Sequence, residues 1–239
     1  MRPTTKPNPL LELSITLIVP SVILIQLSDP GRLGTVNALL LALAFPLSLG
    51  LWTLLRERRV TLFAVLGIVG ILLTGGIGLL RLDPQWLAFK EAAIPALIGL
   101  AVLASTRTRY ALIRTLLYNP ALVKVDRIQV VLESRGNAAA FGKRLLNANY
   151  FLAGTFFFSA AMNYVLATWL VTSPAGSAAF NAELGRLTLL SYPVIAVPSM
   201  VMILIIFYSL WRTTHALTGL GLEEVLVAHG SGRSRDKQA

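Results

Sequence analysis

The chain has 239 residues, 55% of them hydrophobic and only 13% charged, with a formal net charge of +10 and a mean hydropathy of +0.70. A soluble domain carries about 25% charged residues, so this composition excludes an ordinary water-soluble globule, which would lack the polar surface to stay dissolved. Cysteine is absent, which excludes disulfides, thiolate catalysis, iron–sulfur clusters and thiolate zinc sites.

The first apolar run covers residues 10–28, contains Pro20 and stops at the chain breaker Asp29-Pro30-Gly31. It has no small-residue cleavage site and leads straight into a second run, so we read it as a retained helix and not as a signal peptide. The second span covers 34–55, with Pro46 inside it and Arg56-Glu57-Arg58-Arg59 after it. The third, 60–80, is rich in glycine: Gly67, Gly70, Gly75, Gly76 and Gly78. After a short loop containing Asp83-Pro84-Gln85-Trp86, a fourth span covers 90–106. These runs are near or above the ~20 residues needed to cross hydrocarbon.

Residues 107–148 form the one long connection. It divides into Tyr110–Tyr118, a break at Asn119-Pro120, and Ala121–Ser134, where Leu122, Val125, Ile128 and Leu132 recur at helical spacing among Lys124, Asp126 and Arg127. This predicts an amphipathic helix ended by Gly136, either lying on the membrane surface or packed on the protein as an ordinary loop helix. A fifth span covers 149–171. The loop Thr172–Glu183 then leads to a sixth, 187–211, whose start could equally be Leu184. The tail 230–239 is polar and expected to be disordered. The predicted fold is all-α: one domain over 1–229, a polytopic membrane helical bundle of about six transmembrane helices arranged as three like-oriented hairpins.

Orientation follows from lysine and arginine. One set of connections holds Arg2, Lys6, Arg56, Arg58, Arg59, Arg107, Arg109, Arg114, Lys124, Arg127, Arg135, Lys143, Arg144, Arg212, Arg233, Arg235 and Lys237; the other holds only Arg32, Arg81, Lys90 and Arg186. Basic residues collect on the cytoplasmic side of membrane proteins, so both termini are expected to be cytoplasmic. The positive charge then reports topology and attraction to anionic lipid headgroups. No aromatic-interleaved basic groove accompanies it, which argues against nucleic acid as a partner.

The returning helix of each hairpin carries an internal proline: Pro46, Pro95, then Pro193 and Pro198. Such kinks mark hinges or substrate paths in some membrane helices and are ordinary in others. Lys90, Glu91, Glu183 and Arg186 lie at or just inside the outer boundary, where charge is costly, though less so than at the bilayer centre. They are read either as a polar gate or proton-coupled site, or as snorkelling groups with a structural ion pair. Asn163, in mid-span, is expected to bond another helix or to line a cavity. Thr74-Gly75-Gly76-Ile77-Gly78 invites close helix approach and lacks the lysine of a phosphate loop. Both histidines, His215 and His229, follow the last span, and Glu12, Glu91 and Glu183 all sit near span ends. No catalytic residue, metal or cofactor is therefore expected.

The fifth span reads Asn149, Tyr-Phe-Leu-Ala-Gly-Thr, Phe156-Phe157, then Asn163 and Trp169. This resembles the bacterial inner-membrane septation protein A family, where a similar helix begins with asparagine, carries paired phenylalanines and has a second asparagine before an aromatic end. Gly75-Gly76, Asp83, Trp86 and Lys90 are similar to that family's Gly-Gly, Asp, aromatic and outer-turn lysine. The resemblance covers roughly residues 60–106 and 149–211 and is closest to six-helix relatives labelled septation-A-like or major-facilitator-like. Glu183 stands where the family's second outer turn tends to carry lysine, and the insertion at 107–148 is longer. The resemblance implies a non-enzymatic role in envelope maintenance, or as a scaffold with envelope-protein partners. The alternative is a small secondary transporter or channel. Six helices make half of a major-facilitator fold, and a homodimer would supply the rest.

Overall fold

A computed structural model describes residues 14–57, 62–107 and 124–225, and all of their regular structure is helical. The expected helix Tyr110–Tyr118, the break at Asn119-Pro120 and the tail 230–239 lie outside the described residues. A π-helical turn, Ser14–Ile18, leads into α1 (Val19–Gln26). Then follow α2 (Thr35–Glu57), α3 (Leu62–Leu79), α4 (Gln85–Ser105), α5 (Val125–Ser134) and α6 (Ala138–Leu170). α7 (Ala178–Ser191) passes through a second π turn, Tyr192–Ala196, into α8 (Val197–Thr218), and the short α9 (Leu222–Val225) follows.

Four stretches are long and apolar enough to cross a membrane: Thr35–Trp52, Gln85–Ser105, Ala138–Leu170 and Ala178–Thr218. Thr16–Gln26 and Val65–Leu79 are apolar but shorter within the described residues.

Three helices begin earlier than the hydrophobic runs predict. α4 starts at Gln85 because the Asp83 carboxylate accepts the Gln85 N–H at 2.8 Å and the Asp83 carbonyl accepts that of Trp86 at 3.0 Å. α7 starts at Ala178 because Ser177 caps it, its hydroxyl accepting the Phe180 N–H at 3.0 Å. α6 starts at Ala138, so the long connection ends there and not at residue 148. Its 33 residues measure about 50 Å at 1.5 Å per residue, against ~30 Å of hydrocarbon. The surplus is its first turns, which carry Lys143 and Arg144.

The chain packs as two units, residues 1–96 with 158–198, and residues 97–157 with 199–239. In unit 1, α1 packs on α7 and α2, and α2 packs on α3. Its core holds Ile23, Leu24, Ala38, Leu39, Ala42, Ile77, Leu87, Leu166, Phe180, Leu184 and Leu187. The glycine-rich third helix does what its composition predicts. A Cβ on Gly75 would meet a Leu43 methyl at 2.8 Å and one on Gly78 a Leu39 methyl at 2.6 Å, so α2 packs closely on α3 there and a larger residue would have to displace those leucine side chains.

In unit 2, Phe141, Leu145, Ala148 and Leu152 of α6 share a core with Val102, Ile206 and Leu210. Ile128 and Leu132 of α5 are buried in the same core, so the amphipathic face of that helix is covered by protein. α5 ends as its sequence predicts. Gly136 takes φ +70°, the Asn137 N–H bonds the Leu132 carbonyl at 2.8 Å, and the Gly136 N–H bonds that of Glu133 at 3.1 Å. That is a Schellman turn, which needs the left-handed conformation glycine adopts without strain. Lys124 N–H to the Val225 carbonyl (2.9 Å) and an exposed Arg127–Glu224 ion pair (2.8 Å) tie α5 to α9.

Candidate functional site

Unit 1 carries an open-sided cavity of about 430 Å³ lined by α1, α2, α3, α4, α7 and the π turn before α1. Ligand pockets run from ~300 to ~1,000 Å³. Most of the wall is apolar, contributed by Leu24, Ala42, Leu43, Ile71, Ile94 and Leu184. The prolines Pro20 and Pro46 and the glycines Gly67 and Gly70 also face it. These residues leave helix backbone uncovered or interrupt its hydrogen-bond ladder. Thr16, Thr74 and Thr188 supply hydroxyls, and Lys90 and Glu91 supply opposite charges.

The charged pair is built by α3 and α4 together. Lys90 Nζ donates to Thr74 Oγ1 at 2.6 Å and lies 2.6 Å from Glu91 Oε1. Consecutive helix residues normally diverge by about 100°. Here both long side chains bend into one region, and they are 12% and 30% exposed. Thr74 in turn donates to the Gly70 carbonyl at 3.0 Å. Its hydroxyl therefore accepts from the ammonium while its proton is held by its own helix. A cation, an anion and three hydroxyls in an otherwise apolar chamber can engage a solute carrying both signs of charge, or exchange a proton with one.

The other sequence-derived candidates are not gathered there. Glu183 lies in the second turn of α7, where its carboxylate accepts from the N–H groups of Thr172 (3.1 Å) and Ser173 (2.9 Å) and from the Ser173 hydroxyl (2.6 Å). It fastens the end of α6 to the start of α7. Glu183→Gln weakens all three bonds, so it is expected to lower stability by about 2 kcal/mol, read as a lower unfolding temperature in detergent. Arg186 is exposed. Asn163 donates to the Ser159 carbonyl of its own helix at 2.8 Å. This is a local bond that a mid-helix asparagine can make one turn back; among the described residues no hydrogen bond from Asn163 to another helix accompanies it.

Two residues that hold the packing are more prominent in the structure than in the sequence reading. Asn181, fully buried, donates to the Ser28 hydroxyl (3.1 Å) and the Thr35 carbonyl (2.8 Å), tying α7 to the turn between α1 and α2. Asn149 donates to the Val102 carbonyl (2.8 Å) and the Ser105 hydroxyl (3.2 Å) at the last turn of α4, where carbonyls run out of helical partners. Their signal in the sequence is an amide beside small or aromatic residues, which does not distinguish a cap from a ligand contact. Among the described residues no three His, Cys, Asp or Glu side chains converge as a metal site would require. Comparisons with family models, with curated proteins and with solved structures find no match to this chain.

Proposed function

We propose that the chain is a multi-pass protein of the bacterial inner membrane, with both termini cytoplasmic, whose unit 1 cavity binds a small charged or zwitterionic solute in the manner of a small secondary transporter. The observation that carries this reading is the Lys90–Glu91–Thr74 cluster facing a chamber of ligand size. An ion pair kept inside an apolar bundle costs desolvation that packing with apolar side chains would avoid, and a polar chamber gives it a use. Six spans in three like-oriented hairpins, with the basic residues on one side, complete the proposed topology. The reading assigns no catalytic residue and no cofactor.

The second reading is a non-enzymatic scaffold of the septation-A type, serving envelope maintenance. Residues 60–106 and 149–211 support it through their resemblance to that family. So do the local hydrogen bonds that engage Asn163 and Glu183.

Native purification followed by mass spectrometry of small molecules and of co-isolated proteins separates the two. The transport reading expects a solute retained by the wild type and lost from Lys90→Ala, with flux of that solute into proteoliposomes falling at least about ten-fold, as for loss of one charge-assisted contact. Recovery of a stable cell-wall or septal enzyme with no retained solute sinks it and favours the scaffold.

A further inference from the structure

A second concavity, of about 310 Å³, lies in unit 2 between α6 and α8. The two helices run antiparallel there, since Asn137 at the start of α6 donates to the Leu217 carbonyl near the end of α8 at 3.0 Å. The groove extends from Arg144 to Thr155 on one helix and from Met202 to Thr213 on the other. That is about 16 Å along the axis at 1.5 Å per residue, or half of a ~30 Å hydrocarbon core. It is chemically graded. Arg144, Asn147 and Thr213 stand at one end, while Phe151, Met202 and Ile205 line the other. None of its lining residues is acidic. Lys143 and Arg212 are the sequence neighbours of its polar end, which the distribution of basic residues puts at the cytoplasmic face.

We propose that this groove is a binding site for one anionic phospholipid of the cytoplasmic leaflet. An acyl chain lies against Phe151, Met202 and Ile205, and the headgroup phosphate is held by the Arg144 guanidinium with Asn147 and Thr213. Charge selects the occupant. A guanidinium presents a planar fork of donors that matches a phosphate, and basic recesses between transmembrane helices on the cytoplasmic side are where anionic headgroups collect. Length agrees, because a leaflet-deep apolar slot takes an acyl chain and leaves the phosphate at its mouth. The groove is separate from the unit 1 cavity, so its occupancy does not depend on the transport reading.

The test is delipidated full-length protein in mild detergent, titrated with phosphatidylglycerol or with phosphatidylcholine of the same chains and read by native mass spectrometry. Phosphatidylglycerol is expected to bind roughly five- to ten-fold more tightly, as one well-placed arginine at the interface implies. Arg144→Gln should abolish that preference. Ile205→Trp should fill the slot and reduce retention of both lipids. Arg212→Gln, beside the groove but outside it, should leave the preference intact. Equal binding of the two lipids by the wild type overturns the proposal. So does an equal loss in Arg212→Gln and Arg144→Gln, which would mean general surface charge, or unchanged retention in Ile205→Trp. Displacement of the lipid by inorganic phosphate would show a phosphate site without the acyl slot, and overturns it too.

Discussion

Gly185→Ala is expected to destabilise unit 1 by about 3 kcal/mol, the upper end of the range for overpacking a tight contact, and Gly185→Val to prevent recovery of folded protein. At this point α7 crosses α1 with nothing between the backbones. A Cβ on residue 185 would stand 2.9 Å from the Ser21 main-chain oxygen, 2.9 Å from Ile25 Cγ1 and 3.3 Å from Leu24 Cβ. The Ile25 side chain can rotate away. The Ser21 carbonyl cannot, because it belongs to the α1 helix, and the Ser21 hydroxyl is bonded back to the Leu17 carbonyl at 2.7 Å. Relief therefore requires α7 to move off α1, which opens the core around Phe180 and Leu184. Gly76→Ala is the control. A Cβ there meets nothing within 4 Å, and alanine is the better helix former by about 1 kcal/mol, so that variant should be neutral or slightly more stable. Thermal unfolding of the detergent-purified proteins decides; equal midpoints for Gly185→Ala and Gly76→Ala would refute the close crossing.

Asn181→Asp should cost more than Asn181→Leu, although aspartate is the nearer isostere. The Asn181 amide donates two bonds inside the protein, and its Oδ1 has no partner among the described residues. Leucine removes both bonds and leaves the side chain apolar, for a loss of about 2–3 kcal/mol. Aspartate sets an oxygen where the amide nitrogen stood, 2.8 Å from the Thr35 carbonyl oxygen. The Ser28 hydroxyl can turn to donate to it, but a carbonyl has no proton to offer. The resulting repulsion, together with a buried charge lacking a cation, brings the expected loss to about 4 kcal/mol or more. Unfolding midpoints in detergent, ordered wild type, then leucine, then aspartate, are the expected result. The reverse order of the two variants would mean that the amide acts as an acceptor.

The legible part of this protein is what hydrophobic length dictates. The run 34–55 appears as Thr35–Glu57, and two glycines of the third helix, Gly75 and Gly78, face α2 as their small size predicts. The start of α6 was hidden because its first turns bury only one face. Phe141, Leu145, Ala148 and Leu152 form an apolar stripe, while Lys143, Arg144 and Asn147 interrupt the run that a search for spans follows. The start of α7 is hidden because Ser177 and the Ala-Phe-Asn-Ala-Glu stretch belong to a run of small residues that reads as loop. In the structure that same stretch is a capped helix whose Phe180 and Asn181 point into the core.

Of the five polar candidates, Lys90 and Glu91 meet at one cavity, Glu183 clamps a turn, Asn163 bonds its own helix and Arg186 is exposed. Sequence position put Lys90, Glu91 and Asn163 in helices and left Glu183 in a loop that is in fact helix; it did not assign roles, because a role depends on what the neighbouring helix presents. Thr74 lies one helix before Lys90, and only the packing of α3 against α4 brings the two within 2.6 Å. The amino-acid sequence thus determined the material of this protein: helices, apolar enough to cross a bilayer and carrying charge at their ends. Hydrophobic burial and helical periodicity act along the chain. The tertiary structure alone decided which charges share a chamber, which glycines let helices touch and which amides close their ends. Those outcomes turn on contacts between residues far apart in sequence, made or missed by a few tenths of an ångström.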